Sequence, residues 1–162
     1  LLKVLQMIFS YEYLWIQIRV KGGAYGCMCS FSDQGDSMFV TYRDPNLSES
    51  YKVYDEAADY VADFDADDRD MKKYIIGTIG SMDMPMEAVD MGARSFHAYF
   101  LGKTEADLQK VRDQVLSCTQ EDIRALAPIV KAVVEAGNRC CIGNEEKIDQ
   151  NKEYFDEVKH VL

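Results

Sequence analysis

Arg19 and Tyr25 stand on either side of a two-glycine corner, Gly22-Gly23, in the run Leu14-Trp15-Ile16-Gln17-Ile18-Arg19-Val20-Lys21-Gly22-Gly23-Ala24-Tyr25-Gly26. A guanidinium offers only hydrogen-bond donors, and a phenolic hydroxyl offers one more. Aimed at one point, the two would stabilise the negative charge that develops on a carbonyl oxygen when a peptide bond is attacked, the task of an oxyanion hole. Neither group is a ready nucleophile or base, so the pair supports a reaction that another group must start. The surrounding pattern says how they are positioned. An amphipathic helical run ends at Lys21, the two glycines allow the positive φ needed to leave it, and Ala24-Tyr25 opens an extended segment. Arg19 then lies in the last helical turn, where a cation also offsets the helix dipole. Lys21 is expected to face solvent.

Residues 13–25 resemble the C-terminal half of the presequence-protease branch of the pitrilysin/insulinase zinc metallopeptidases. Two further segments agree in order. Thr41-Tyr42-Arg43-Asp44-Pro45-Asn46 is similar to a segment that follows a strand in that branch, with Thr41 where serine is more usual. Ile76 to Asp83, and then Phe100-Leu101-Gly102-Lys103-Thr104, match its later pattern, so the likeness spans roughly residues 1–124.

The resemblance implies a zinc centre built on His-x-x-Glu-His and a distal Glu, carried in the N-terminal half of a longer enzyme whose halves close around an extended peptide. That motif needs two histidines within five positions, and this chain has only His97 and His160. Zinc is therefore expected in the parent enzyme and none on this chain. By the same resemblance, Arg19 and Tyr25 contact the substrate carbonyl and steady the tetrahedral intermediate, while Gly22 and Gly23 form a structural corner. Residues 1–162 are then expected to be a single C-terminal substrate-binding domain without its first strands, partnered by the N-terminal half and by unfolded peptide.

Hydrophobic periodicity and turn chemistry predict the elements that carry these groups. Residues 2–20 read as a helix with Leu5, Ile8, Phe9, Leu14 and Ile16 on its apolar face. Residues 25–31 and 38–42 read as an antiparallel hairpin across the polar cluster 32–37. Asn46 or Ser48 would cap a helix to about residue 64, and another runs from about residue 69 through 79. A methionine-rich loop, 81–86, precedes a helix over 87–100; the four methionines from Met82 to Met91 could make an adaptable peptide-binding surface, but are expected to fill gaps beneath the loop. Thr104…Asp107 and Thr119…Asp122 read as capping boxes opening helices that end near residues 117 and 135. Gly137 stops the second, residues 139–142 form a short strand, and Asn144 caps a helix that continues to the C-terminus. The order predicts an α+β fold with helices packed on one face of a mostly antiparallel sheet, like the domain repeated in pitrilysin/insulinase peptidases.

Composition narrows the partners. At 162 residues and 48% hydrophobic, the chain can bury about 70% of its unfolded surface. A net charge of −10 argues against nucleic acid, whose binding needs clustered Lys and Arg. An acidic surface suits solubility and attraction of basic peptides. No apolar run is long enough to span a membrane, and residues 1–8 lack the basic flank and cleavage site of a signal peptide. A start inside a helical pattern, without methionine, predicts an excised fragment. Five cysteines, an odd number with Cys140 and Cys141 adjacent, suit reduced thiols and so the cytoplasm or an organelle matrix. Missing first strands would leave an open surface, across which the fragment is expected to self-associate.

Other candidates read as ordinary surface. Arg43-Asp44 suits a turn-stabilising pair, Glu157 and His160 a solvated terminal helix, and the acidic stretch 55–70 a charged outer face. Two functional readings follow. The parent is a zinc metalloendopeptidase to which this chain, inactive alone, lends transition-state contacts. Alternatively, the parent lacks the metal motif, and this is a scaffold or peptide-binding module.

Overall fold

The apolar residues at the start of the chain are spaced more widely than an α-helix allows. Val4, Leu5, Ile8, Phe9, Tyr13, Leu14 and Ile18 are all buried, and the series 8, 13, 18 and 9, 14 advance by five. The backbone follows that spacing. In the computed structural model, which describes residues 1–32 and 34–160, helix α1 (Leu2–Ile8) passes into two π-helical stretches, Phe9–Tyr13 and Trp15–Lys21. A π turn bonds residues five apart. It rotates Ile18 into the core and leaves Ile16 exposed, reversing the expectation for Ile16.

Strands β1 (Gly26–Phe31) and β2 (Ser37–Tyr42) form the predicted antiparallel hairpin, with Gly26 opposite Tyr42 and Phe31 opposite Ser37. Asp33, in the predicted turn cluster, lies outside the described residues. Side chains alternate across a strand, so Cys29, Phe31 and Phe39 pack inward, while Met28, Met38 and Tyr42 are exposed on the opposite face. Phe9 is the hub of that packing, with the rings of Phe39, Tyr13, Tyr60 and Phe31 5.6, 5.8, 6.1 and 6.3 Å away. The Tyr13 hydroxyl, itself within the core, donates to the Val53 carbonyl at 2.7 Å. The fold is α+β, with helices on one face of the antiparallel sheet.

Among the described residues that sheet has two strands. The strand predicted over 139–142 is coil; among the described residues it has no neighbouring strand to take its backbone hydrogen bonds. Arg139 anchors this coil instead. Its Nη2 sits 2.7 and 3.0 Å from the two Asp55 carboxylate oxygens, and its guanidinium lies over the rings of Tyr51 and Tyr154.

The helices follow their caps with instructive breaks. The single helix predicted to residue 64 is α2 (Leu47–Asp55) and α3 (Ala57–Ala62), and neither Asn46 nor Ser48 caps it through a side chain. The break at Glu56 lets Ala57 and Val61 bury completely. Asp67 caps α4 (Asp68–Met82), and α5 (Ala88–Phe100) follows. Both capping boxes form, opening α6 (Glu105–Leu116) and α7 (Gln120–Arg124). The latter stops short of its predicted end because Pro128 would clash with the carbonyl four residues back. A new helix, α8 (Ala127–Glu135), begins there and ends before Gly137 at φ 66.

Asn144 caps α9 (Glu145–Asp149), but the helix predicted to the C-terminus gives way to a 3-10 turn, Lys152–Tyr154, and then coil. Glu157 and His160 lie in that coil, His160 with its Nδ1 3.5 Å from Glu145; residues 161–162 are outside the described residues. Met82 packs against the core as expected, whereas Met84, Met86 and Met91 are exposed and do not fill gaps beneath the 81–86 loop.

Candidate functional site at the glycine corner

The two glycines contribute differently. Gly22 keeps a helical φ of −79°, but a Cβ there would stand 2.5 Å from the Ile18 carbonyl oxygen. Only Gly23, at φ 76, takes the left-handed conformation. The pair supplies the expected positive φ through Gly23 alone, and Gly22 supplies room. Three hydrogen bonds close the helix end, from Gly22 N–H to the Gln17 carbonyl at 3.1 Å, from Gly23 to Arg19 at 3.1 Å and from Ala24 to Ile18 at 3.2 Å. The last two each span one residue more than in an α-helical Schellman end, the consequence of the π turn.

The segment after β2 clamps this corner. The Asn46 side-chain amide donates to the Gly22 carbonyl, the Tyr25 N–H donates to the Arg43 carbonyl at 3.3 Å, and the Asp44 carboxylate accepts from Asn46 N–H at 2.9 Å and from the Ser50 hydroxyl. Asp44 is thus the turn-stabilising residue expected. Arg43 is not its partner among the described residues. It sits at φ 48, a conformation that costs a non-glycine residue on the order of 1 kcal/mol, with its guanidinium 5.8 Å from the Tyr25 ring centroid and 5.3 Å from that of Tyr42.

Arg19 and Tyr25 meet on the surface. An Arg19 Nη1 donates to the Tyr25 carbonyl, and the guanidinium lies 4.7 Å from the Trp15 ring centroid and 5.7 Å from that of Tyr25. The Tyr25 ring is 65% exposed and packs edge-on against Tyr42 at 5.9 Å. The order Trp15, Arg19, Tyr25, Arg43, Tyr42 is therefore a run of alternating cations and rings. Each cation–ring contact contributes about 0.5–1 kcal/mol at an exposed site. Lys21 faces solvent, its Nζ 3.1 Å from Gln17 Oε1. Beneath the corner, burial pushes the Cys27 thiol pKa up, and the nearby Arg19 guanidinium partly offsets it.

Chemically this is a cluster of donors with no base or nucleophile among its members. It suits a carbonyl or carboxylate oxygen of a ligand lying across the corner. Among the described residues no three His, Cys, Asp or Glu side chains gather as metal ligands. All five cysteines are free thiols. Trp15, Tyr42 and Arg43 escaped the sequence reading as members of the cluster. A signal was present, since Trp15 is one helical turn before Arg19, and the hairpin register that sets Gly26 opposite Tyr42 also sets Tyr25 beside Arg43.

Residues 2–144 match the family described as the PreP C-terminal domain. The chain is 40% identical over 161 residues to a protein named HypA from Clostridium perfringens, covering 99% of this chain and 16% of that one. It is 33% identical over 163 residues to presequence protease 1, chloroplastic/mitochondrial, of Arabidopsis thaliana, covering 98% and 15%. It is also 34% identical over 148 residues to the mitochondrial presequence protease of Aspergillus fumigatus, covering 90% and 13%. The chain thus spans about a sixth or less of the length of these relatives. With a match that includes the corner, the hairpin and the helices through α8, this chain belongs to the PreP C-terminal domain family.

Proposed function

We propose that this chain is the C-terminal, substrate-contacting part of a zinc-dependent peptide hydrolase, whose metal is held by residues elsewhere in the parent protein. Relatives named presequence proteases support a peptidase as that parent. The observation that carries the site assignment is the Arg19 guanidinium lying beside the exposed Tyr25 ring at the corner. In this reading the metal supplies the activated water. Arg19 and Tyr25 bind the substrate carbonyl and stabilise the oxyanion as the tetrahedral intermediate forms. The partners are the N-terminal half of the enzyme and an unfolded peptide, and the free thiols suit a reducing compartment such as an organelle matrix.

The test is Tyr25→Phe in the complete parent enzyme. The variant keeps the ring packing and removes one donor, so kcat should fall roughly 10- to 100-fold with KM little changed. Unchanged kcat would remove the role assigned to Tyr25. The 162-residue chain with added zinc should show no peptide hydrolysis.

A further inference from the structure

Helix α5 is amphipathic, and its amphipathicity points the wrong way for a helix that serves this body alone. At about 100° per residue, Val89, Gly92, Ala93, Phe96, Tyr99 and Phe100 share one side. That side faces solvent, with Val89 79%, Phe96 66%, Tyr99 80% and Phe100 69% exposed. Toward the body, the helix instead presents Arg94, His97 and Ala98 to a cleft of about 580 Å³, across from Met82, Leu108 and Val111. No residue of α5 is buried.

We infer that the outward face of α5 is a docking surface for an apolar segment of the parent polypeptide that lies outside these 162 residues. Two observations select that occupant over a second copy. The relatives that match nearly all of this chain devote 84–85% of their own length to other sequence, since the match covers 16% and 15% of them. The patch is also small. Three aromatic side chains about two-thirds exposed or more present on the order of 400 Å², half of the ~800 Å² per partner that a stable independent interface buries. A contact of that size holds when both surfaces belong to one chain, because covalent linkage supplies the effective concentration. Two copies would in addition bring together net charges of −10 each.

This inference rests on family membership and the relatives' length, not on any role for Arg19 or Tyr25, so it stands or falls separately from the catalytic reading. The experiment is hydroxyl-radical footprinting, read by mass spectrometry at Phe96, Tyr99 and Phe100. It is run on the full-length parent and on the 162-residue chain at a concentration where light scattering gives a monomer, with the buried Phe9 as an internal standard whose oxidation must be equally low in both. Oxidation of these rings should fall at least tenfold in the parent. Equal oxidation in the two would overturn the inference. So would protection that arises only as the short chain is concentrated and is absent from the parent, which would assign the face to a second copy.

Discussion

A methyl group at position 22 has nowhere to go. The atoms it would meet, the carbonyl oxygens of Ile18 and Gln17 at 2.5 and 3.2 Å and the Ile18 carbonyl carbon at 3.2 Å, are all backbone, so only opening the π turn makes room. At position 23 the space is free, the nearest atom being Pro45 Cγ at 3.9 Å, and the obstacle is the positive φ. Gly22→Ala should therefore cost on the order of 2 kcal/mol or more, and Gly23→Ala about 1–2 kcal/mol. Gly23→Asn should recover much of the latter because Asn tolerates the left-handed region. Urea midpoints for the three variants check this, and equal losses for Gly23→Ala and Gly23→Asn would refute the conformational account. The corner was legible in the sequence as a corner. The division of labour was not, because it depends on where the Ile18 carbonyl points after a π turn. Arg43 was hidden for a related reason: its side chain faces the Tyr25 and Tyr42 rings, while the carboxylate of the next residue, Asp44, takes Asn46 and Ser50.

At the scale of the element, the helix before the corner decides where Arg19 faces. A buried set at 8, 13 and 18 and another at 9 and 14 fit a widened helix; an α-helix would carry Ile16 inward. Ile18→Ala, from a side chain 1% exposed, should cost about 2–5 kcal/mol. Ile16→Ala should cost under about 1 kcal/mol, since that residue already meets water. Chemical denaturation of the two variants reads out the register, and the reverse order would mean that the helix is α throughout. The five-residue spacing was present in the sequence all along, but a 3.6-residue template passes over it. Capping boxes at Thr104 and Thr119 were fully legible because each is closed by residues three apart. The missing strand at 139–142 was not legible, since a strand is defined by a partner, and apolar residues in a short run look alike with or without one.

The molecule as a whole carries its polar groups in two regimes, and pH separates them. Its ion pairs lie at the surface, as with Lys73 between Glu12 and Asp70, where each contributes little. The core, by contrast, is rich in groups that must stay protonated. Burial pushes the Tyr51 and Tyr60 hydroxyls up to about 12, the Cys29 thiol to about 12 and the Cys118 thiol to about 11. It raises Tyr13, Tyr54 and Tyr74 further still. In the unfolded chain these groups ionise near their ordinary values, 9.0 for the thiols and 10.0 for the phenols. Between those values and the folded ones the unfolded state has fewer bound protons than the native state, so stability falls as pH rises. Their contribution is complete below about pH 9 and is lost progressively from there to about pH 12. The urea midpoint should accordingly hold steady from about pH 6 to 8 and drop above about pH 9. Tyr60→Phe keeps the ring that stacks on Tyr13 at 4.4 Å and removes one titrating hydroxyl, so its midpoint should decline less steeply above pH 10. A wild-type midpoint that stays level to pH 11 would mean that these hydroxyls and thiols ionise as easily in the native core as in the unfolded chain, and that the aromatic packing around Phe9 does not exclude water.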